Sequence, residues 1–120
     1  MYSAKRSKKD CIFCRIIRGE IQSDILYQDE EVIAIRDISP QAPTHILVLP
    51  RAHIASLAQA GAAHKPLLGH VVHVASELAK REGVSDKGYR LVINSGAEAG
   101  QEVPHLHLHL LSGRTLGKMG

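Results

Sequence analysis

The sequence has little of what marks membrane, secreted or repeat proteins. No apolar run approaches the roughly 20 residues needed to cross a bilayer, and the basic start of the chain lacks the apolar centre of a secretory signal. No internal repeat is visible. The 120 residues, 44% hydrophobic and 22% charged, suit one domain with a modest core. We therefore expect a single cytoplasmic domain that does not enter a membrane.

An excess of charge of one sign is confined to the start of the chain. The net charge is +3 with neutral histidines. Five of the 15 basic residues lie in the first fifteen positions, namely Lys5, Arg6, Lys8, Lys9 and Arg15. This distribution indicates a basic tail rather than a basic domain, so we do not expect a nucleic-acid partner. We expect residues 1–9 to be a disordered basic tail and residues 10–120 to be the folded domain.

Local patterns predict a mixed α+β chain. Apolar residues at helical spacing predict one long helix over 66–81 that ends at Gly83. A short helix is predicted over 11–18, with Asp10 as its N-cap and Gly19 after its last turn. Short neighbouring strands that favour antiparallel pairing are predicted at 25–27, 32–36, 45–49, 89–94 and 105–111.

The last predicted strand carries three histidines in alternation with leucines. His105, His107 and His109 are each separated by one leucine. Successive side chains of an extended chain point to opposite faces, so the histidines are expected to line one face while the leucines enter the core. Three imidazoles together indicate catalysis or metal binding, since histidine titrates near neutral pH and is a common metal ligand.

A glycine-rich loop, residues 95–102, precedes the histidines. Glycines can leave backbone N–H groups open to the oxygens of a ligand, and neighbouring histidines can attack or protonate a phosphorus centre. The loop and the histidines together therefore favour phosphate chemistry.

The run from His105 to Leu111 resembles the signature of the histidine triad family of nucleotide hydrolases and transferases. Residues 37–53 and 88–94 look like the Hint-like branch of that family, and the resemblance extends from about Cys11 to Gly113. It implies an α+β fold, with a five-stranded antiparallel sheet, one long helix and a short N-terminal helix. It also implies a homodimer whose sheets join across the interface, and binding of purine nucleoside monophosphates by a HIT domain over 10–120.

The resemblance also implies the reaction and the residues that perform it. His107 is the expected nucleophile, which cleaves purine nucleoside 5′-phosphoramidates or acyl-adenylates through a covalent nucleotidyl intermediate and so releases AMP or GMP. His109 is expected to contact the phosphate, while His105 and His45 complete the catalytic group. Asp37 is expected to bind the ribose, and Ile12, Phe13 and Ile38 are expected to enclose the base. The residues expected on the phosphate side are Asn94, Gly100, Gln101 and Glu102.

Two positions depart from the pattern of the family. Glu102 stands where some members carry serine, and its carboxylate would repel a phosphate, although its backbone N–H could still bind one. Pro104 stands where an aromatic residue is expected. The contact with the leaving group is therefore open at this point.

Cys11 and Cys14 form a Cys-x-x-Cys pair, a spacing that suits zinc or thiol exchange. Reduced thiols without a metal, or a disulfide, are the alternatives. The resemblance implies that His53 and His105 complete a structural Cys₂His₂ zinc site, which would have no open position for catalysis.

Three functions remain in competition. The favoured one is the phosphoramidate or acyl-adenylate hydrolase, because related transferases carry glutamine in place of the last histidine, whereas this chain has His109. A dinucleoside polyphosphate hydrolase is the second. The third is a zinc-stabilised module that binds nucleotides or a partner protein and has only vestigial activity.

Overall fold

The structure is a computed structural model that describes residues 11–120. The predicted tail over residues 1–9 and the predicted N-cap Asp10 lie outside the described residues. The helices are α1 (Ile12–Ile17) and α2 (Lys65–Arg81). The strands are β1 (Ile25–Gln28), β2 (Val32–Arg36), β3 (Thr44–Pro50), β4 (Arg90–Ile93) and β5 (Leu108–Ser112).

The five strands form one antiparallel sheet in the order β1-β2-β3-β5-β4. The predicted fold class, with one long and one short helix, is confirmed. Short 3₁₀ turns interrupt the connections at Leu57–Gln59, Ala62–His64 and Ala97–Ala99.

The two helices cover opposite faces of the sheet. Side chains alternate along a strand, so Ile46 and Val48 of β3 pack with α2 while Leu47 packs with α1. Successive apolar residues of α2 face the sheet and are buried, namely Val71, Val74, Ala75 and Leu78. Helix α2 thus buries its apolar side, and the α1 face of the sheet carries the strand histidines His45 and His109.

Helix α2 ends two residues before Gly83, as predicted, but α1 begins one residue later than predicted. Cys11 is the N-cap of α1, and its Sγ accepts the backbone N–H of Cys14 at 3.5 Å. The first cysteine therefore both starts the helix and faces the second. Neither helix within residues 11–120 is long and apolar enough to cross a membrane.

Strand β5 is shorter than predicted, because it begins at Leu108 rather than His105. In the register that pairs Val48 with Leu108, Leu106 would face Pro50, which has no N–H to donate. The backbone N–H of Leu106 bonds Ile54 O at 2.7 Å instead. His105 consequently lies in a bend, and His107 lies between this bend and the strand, while Leu106, Leu108 and Leu110 still enter the core.

Candidate active site and metal centre

A cleft of about 610 Å³ opens on the α1 face of the sheet. It lies between α1, the loop after β2, and the segment that leads into β5. Of the predicted site residues, it brings together Ile12, Phe13, Asp37, Ile38, His45, Asn94, Gly100, Glu102, His107 and His109.

His107 lies at the base of the cleft in a fixed orientation. Its Nδ1 lies 2.7 Å from the backbone O of His105, which can only accept a hydrogen bond, so Nδ1 carries the proton. The ring also packs edge-on against Phe13 with centroids 5.0 Å apart. His107 is only 7% exposed. The remaining nitrogen, Nε2, therefore keeps a lone pair at one defined place.

His109 has the opposite tautomer, which follows from a short chain of hydrogen bonds. The backbone N–H of Gln41 donates to His45 Nδ1 at 3.0 Å, so His45 carries its proton on Nε2. His45 Nε2 lies 2.9 Å from His109 Nδ1, which must accept. The neutral His109 ring therefore has its N–H on Nε2. His107 Nε2 is an acceptor and His109 Nε2 is a donor, and their ring centroids are 5.0 Å apart.

Burial keeps these histidines neutral near pH 7. It lowers the pKa of His109 to about 4, and the neighbouring His107 and His45 add to this effect, which Asp37 opposes. Burial also lowers the pKa of His45 and of His107 below the ordinary value of 6.5. Each shift disfavours the imidazolium form.

Asp37 lies where β2 ends, beside the histidines. One of its oxygens, Oδ1, accepts the N–H of Ser39 at 2.8 Å, and the other, Oδ2, lies 3.4 Å from His45 Nε2. Its neighbour Ile38 is 92% exposed at the mouth of the cleft. The carboxylate thus lies beside the apolar side chains that line the cleft, Ile12, Phe13 and Ile38, which form its apolar wall.

Sequence reasoning missed part of the apolar wall. Ile16 and Ile21 also line the cleft. The signal for Ile16 was present, because it lies four residues after Ile12 on the same helical face. Ile21 lies in the connection after α1, where no periodicity marks it.

The glycine-rich loop differs from the expectation. The backbone N–H groups of Ala99, Gly100 and Gln101 all donate to carbonyls of the same loop. The N–H of Gly96 donates to Gln101 Oε1 at 2.9 Å. Four of the eight backbone amides of the loop, including those of both glycines, therefore stabilise the loop itself.

Gln101 is buried rather than part of the lining of the cleft. It is 2% exposed, and its Nε2 donates to the backbone O of Ala55 and of Val103 at 2.8 and 2.9 Å. Its side chain fastens the loop to the segment after β3. Glu102 is exposed and lines the cleft.

A second cluster, of cysteines and histidines, joins the start of α1 to the segment after β3 and to the segment before β5. The ligand atoms of Cys11, Cys14, His53 and His105 all lie within 4.8 Å of one another, and neither cysteine forms a disulfide. His105 Nδ1 lies 3.4 Å from Cys11 Sγ and 3.6 Å from Cys14 Sγ. His53 Nδ1 lies 3.3 Å from Cys14 Sγ.

These separations fit a tetrahedral metal site. Sulfur at about 2.3 Å and nitrogen at about 2.0–2.1 Å from zinc would lie about 3.6 Å apart. His105 Nε2 is 2.8 Å from the carbonyl O of Pro50, so its proton is on Nε2 and its Nδ1 lone pair faces the sulfurs. The four side chains can hold a metal ion, and that group lies apart from His107 Nε2.

Comparison with known proteins agrees with this architecture. The HIT domain family matches residues 18–116. The chain is 51% identical to the purine nucleoside phosphoramidase of Escherichia coli K12 over 111 residues, which is 92% of this chain and 93% of the relative. It is 50% identical to the 14 kDa zinc-binding protein of Zea mays over 107 residues, which is 88% of this chain and 83% of the relative.

A solved structure shares both sequence and fold. The HIT family hydrolase from Legionella pneumophila Philadelphia 1 superposes with a TM-score of 0.89 at 45% identity, covering 90% of this chain and 96% of that one. With the family match spanning most of the domain, the chain belongs to the HIT family.

Proposed function

We propose that this HIT-family hydrolase cleaves purine nucleoside 5′-phosphoramidates or acyl-adenylates and releases AMP or GMP. The observation that carries the proposal is the pair of complementary tautomers in one cleft. His107 Nε2 offers a lone pair, and His109 Nε2 offers a hydrogen bond. A nucleophile beside a donor is what attack on a phosphoryl group requires.

The cleft has room for a nucleoside monophosphate, with each part of it against a suitable surface. The base lies against the apolar wall formed by α1 and Ile38. Asp37 Oδ2 accepts the ribose hydroxyls, since Oδ1 is already bonded to Ser39. The phosphate then lies over the two histidines, with Asn94 and Gly100 beside it.

The reaction proceeds in two displacements at one phosphorus. His107 Nε2 forms a bond to the α-phosphorus as the bond to the leaving group breaks. The electron pair goes with the amine, which takes a proton from solvent, or with the carboxylate of an acyl group. Water then attacks the phosphorus, the bond to Nε2 breaks, and the proton of the water passes to solvent as AMP or GMP leaves.

His109 stabilises the transition state as a hydrogen-bond donor. Its low pKa, about 4, keeps it neutral near pH 7, and a neutral imidazole is a poor proton donor. Its Nε2–H can nevertheless bond a phosphoryl oxygen while negative charge builds there. His45 holds this donor in place through Nδ1.

Nucleotide binding with little turnover is a second candidate, and Glu102 is the observation that favours it. Its exposed carboxylate lines the cleft on the phosphate side. A like charge there opposes binding of the phosphate and gain of charge in the transition state. A dinucleoside polyphosphate would bring more negative charge to Glu102, so we place that substrate class below the phosphoramidates.

We also propose that Cys11, Cys14, His53 and His105 hold a structural zinc ion. The separations of the candidate ligand atoms support this assignment, as does the similarity to the 14 kDa zinc-binding protein of Zea mays. Four protein ligands would leave no open position, so the metal would stabilise the fold rather than act on substrate. His105 also carries the carbonyl that orients His107, so the metal would steady the nucleophile indirectly.

We further propose that the protein forms a homodimer. In the single chain β4 is an edge of the sheet, and an unpaired edge is a template for pairing with a second copy. Sedimentation velocity at micromolar concentration should give the mass of a dimer. A monomer under those conditions would refute this assembly.

The experiment that tests the proposed function measures AMP release from adenosine 5′-phosphoramidate by the purified protein. His107→Asn is the matched control, since an amide side chain can still donate to the carbonyl of His105. Rapid quench and intact-mass measurement should also detect one nucleotidyl group on the wild type and none on the variant. AMP binding without turnover in either protein would favour the binding module, and faster cleavage of a diadenosine polyphosphate would favour the other hydrolase.

A further inference from the structure

The C-terminal tail, which is the segment of residues 113–120 after β5, contacts the loop that leads into β3, residues 38–43. Gly113 has φ +98°, and a Cβ atom placed there would lie 2.7 Å from Pro43 Cβ. This close approach brings the next residue, Arg114, over the same loop. Arg114 donates from Nη2 to the backbone O of Gln41 at 2.9 Å and from Nη1 to the backbone O of Thr115 at 3.0 Å.

Gln41 is also the residue that sets the tautomer of His45. Its backbone N–H donates to His45 Nδ1, and its side chain donates to Ser39 O at 3.2 Å. His45 Nε2 then bonds His109 Nδ1. The guanidinium of Arg114 is therefore three hydrogen bonds away from the ring of His109, although it does not line the cleft.

The loop of residues 38–43 is anchored by the buried Ala42 and by hydrogen bonds of its own, and Arg114 adds a contact from outside the loop. Gln41 and Pro43 are exposed, and the loop contains no regular secondary structure. Arg114 binds the carbonyl of Gln41, while the N–H of the same residue binds His45. A residue held at both its donor and its acceptor has little freedom to rotate, so the N–H stays aimed at His45.

We infer that Arg114 is a positioning residue, which holds Gln41 so that His45 and His109 each keep their proton on Nε2. This inference rests on the proposed function only for its effect on turnover. Without Arg114, Gln41 is free to turn away from His45, and His45 Nδ1 loses the donor that keeps it unprotonated. His45 then populates the other tautomer, and His109 loses its fixed Nε2–H.

The chain offers a matched control for loosening of the tail. Arg90 at the start of β4 donates to the backbone O of Gly117 at 2.9 Å, further along the same tail. Arg90→Ala removes one guanidinium contact from the tail without touching Gln41. If the tail merely needs to be fastened, Arg90→Ala and Arg114→Ala should act alike.

The test is ¹⁵N NMR of the histidine rings in the ligand-free protein at neutral pH, for the wild type, Arg114→Ala, Arg114→Lys and Arg90→Ala. In the wild type and in Arg90→Ala, we expect His45 and His109 to show a protonated Nε2 and an unprotonated Nδ1. In Arg114→Ala, the two nitrogens of His45 should move towards averaged shifts. Arg114→Lys, which keeps a cationic donor, should restore part of the difference.

Turnover gives an independent measure. For Arg114→Ala we expect kcat to fall about twofold to tenfold with KM for adenosine 5′-phosphoramidate unchanged. Wild-type ring shifts in Arg114→Ala, or equal changes in Arg90→Ala, would overturn the inference. Because the ring shifts are measured without substrate, they test the role of Arg114 even if the wild type proves inactive.

Discussion

At the residue scale, the triad divides into three histidines with different tasks. His105 directs Nδ1 to the sulfurs, His107 directs Nε2 to the cleft, and His109 presents a donor. The backbone partners decide these tasks. His105 and His107 each donate to a carbonyl, whereas the tautomer of His109 is set through His45 by a backbone N–H. Identical side chains therefore differ in chemistry because their hydrogen-bond partners differ.

Two replacements of His107, the proposed nucleophile, separate loss of turnover from loss of packing. The sequence alone suggests that His107→Ala would cost little packing, but the ring is buried against Phe13. We expect His107→Asn and His107→Ala both to lower kcat by about 10⁴-fold or more. Only His107→Ala should also lower the free energy of unfolding appreciably, by about 2 kcal/mol, because it leaves a cavity and an unpaired carbonyl. Thermal unfolding measures this difference, and equal melting of the two variants would contradict it.

The dependence of kcat/KM on pH, which reflects the ligand-free enzyme, should report His109. Its pKa is about 4, so it is neutral above that value and becomes charged as the pH falls through it. The groups that face it are His45, His107 and Asp37. A protonated Nδ1 can no longer accept from His45, so we expect kcat/KM to hold steady between about pH 6 and 8 and to fall below about pH 5. A profile for His109→Gln that keeps the same acid limb would show that another group causes the fall.

At the element scale, Asp29 ties the β1–β2 turn to α2. Its Oδ1 accepts the N–H groups of Glu31 and Val32, both at 2.8 Å. Its Oδ2 accepts from Tyr27 at 2.7 Å and lies 2.6 Å from His70 Nε2 on α2. Burial alone would raise the pKa of Asp29, but the bonds from His70, Tyr27 and the two amides outweigh it and hold the pKa well below the usual value.

Asp29→Asn should therefore destabilise the protein in a way that depends on pH. The folded pKa is below the unfolded one, so the carboxylate stabilises the fold above about pH 4 and loses this effect as the pH falls further. We expect the variant to lose about 1–2 kcal/mol of unfolding free energy at pH 7. Urea unfolding at pH 7 and pH 3 checks this, because the gap from the wild type should narrow at the lower pH. A gap that widens would refute the role of the carboxylate.

At the scale of the whole molecule, the two clusters occupy different parts of the α1 face. The cysteines and histidines that could hold a metal join the start of α1, the segment after β3 and the segment before β5. His107 follows His105 by two residues, and Phe13 lies against both rings. A metal there would fasten three separate segments around His107, the proposed nucleophile.

Loss of one of the two cysteine side chains should therefore lower the melting temperature more than it lowers turnover. We expect Cys14→Ser to reduce bound zinc and to lower the melting temperature by about 5 °C or more, while residual turnover persists at low temperature. Metal analysis and thermal unfolding, with zinc added back or chelated, measure this. Ser76→Ala, a change on the exposed side of α2, is the control. Zinc loss with unchanged melting would refute the structural role.

The sequence by itself determined the long helix and the strands, because periodicity and turn residues are local signals. It also singled out the histidines and the cysteine pair by their spacing. The resemblance to the histidine triad family, rather than any local pattern, pointed to the five-stranded fold and to the residues that line most of the cleft. Only the tertiary structure decided that β5 starts at Leu108, that Gln101 is buried, and which nitrogen of each histidine is free. Those outcomes depend on partners distant along the chain, such as Pro50, Ala55 and Gln41, and no local pattern records which backbone group a side chain will meet.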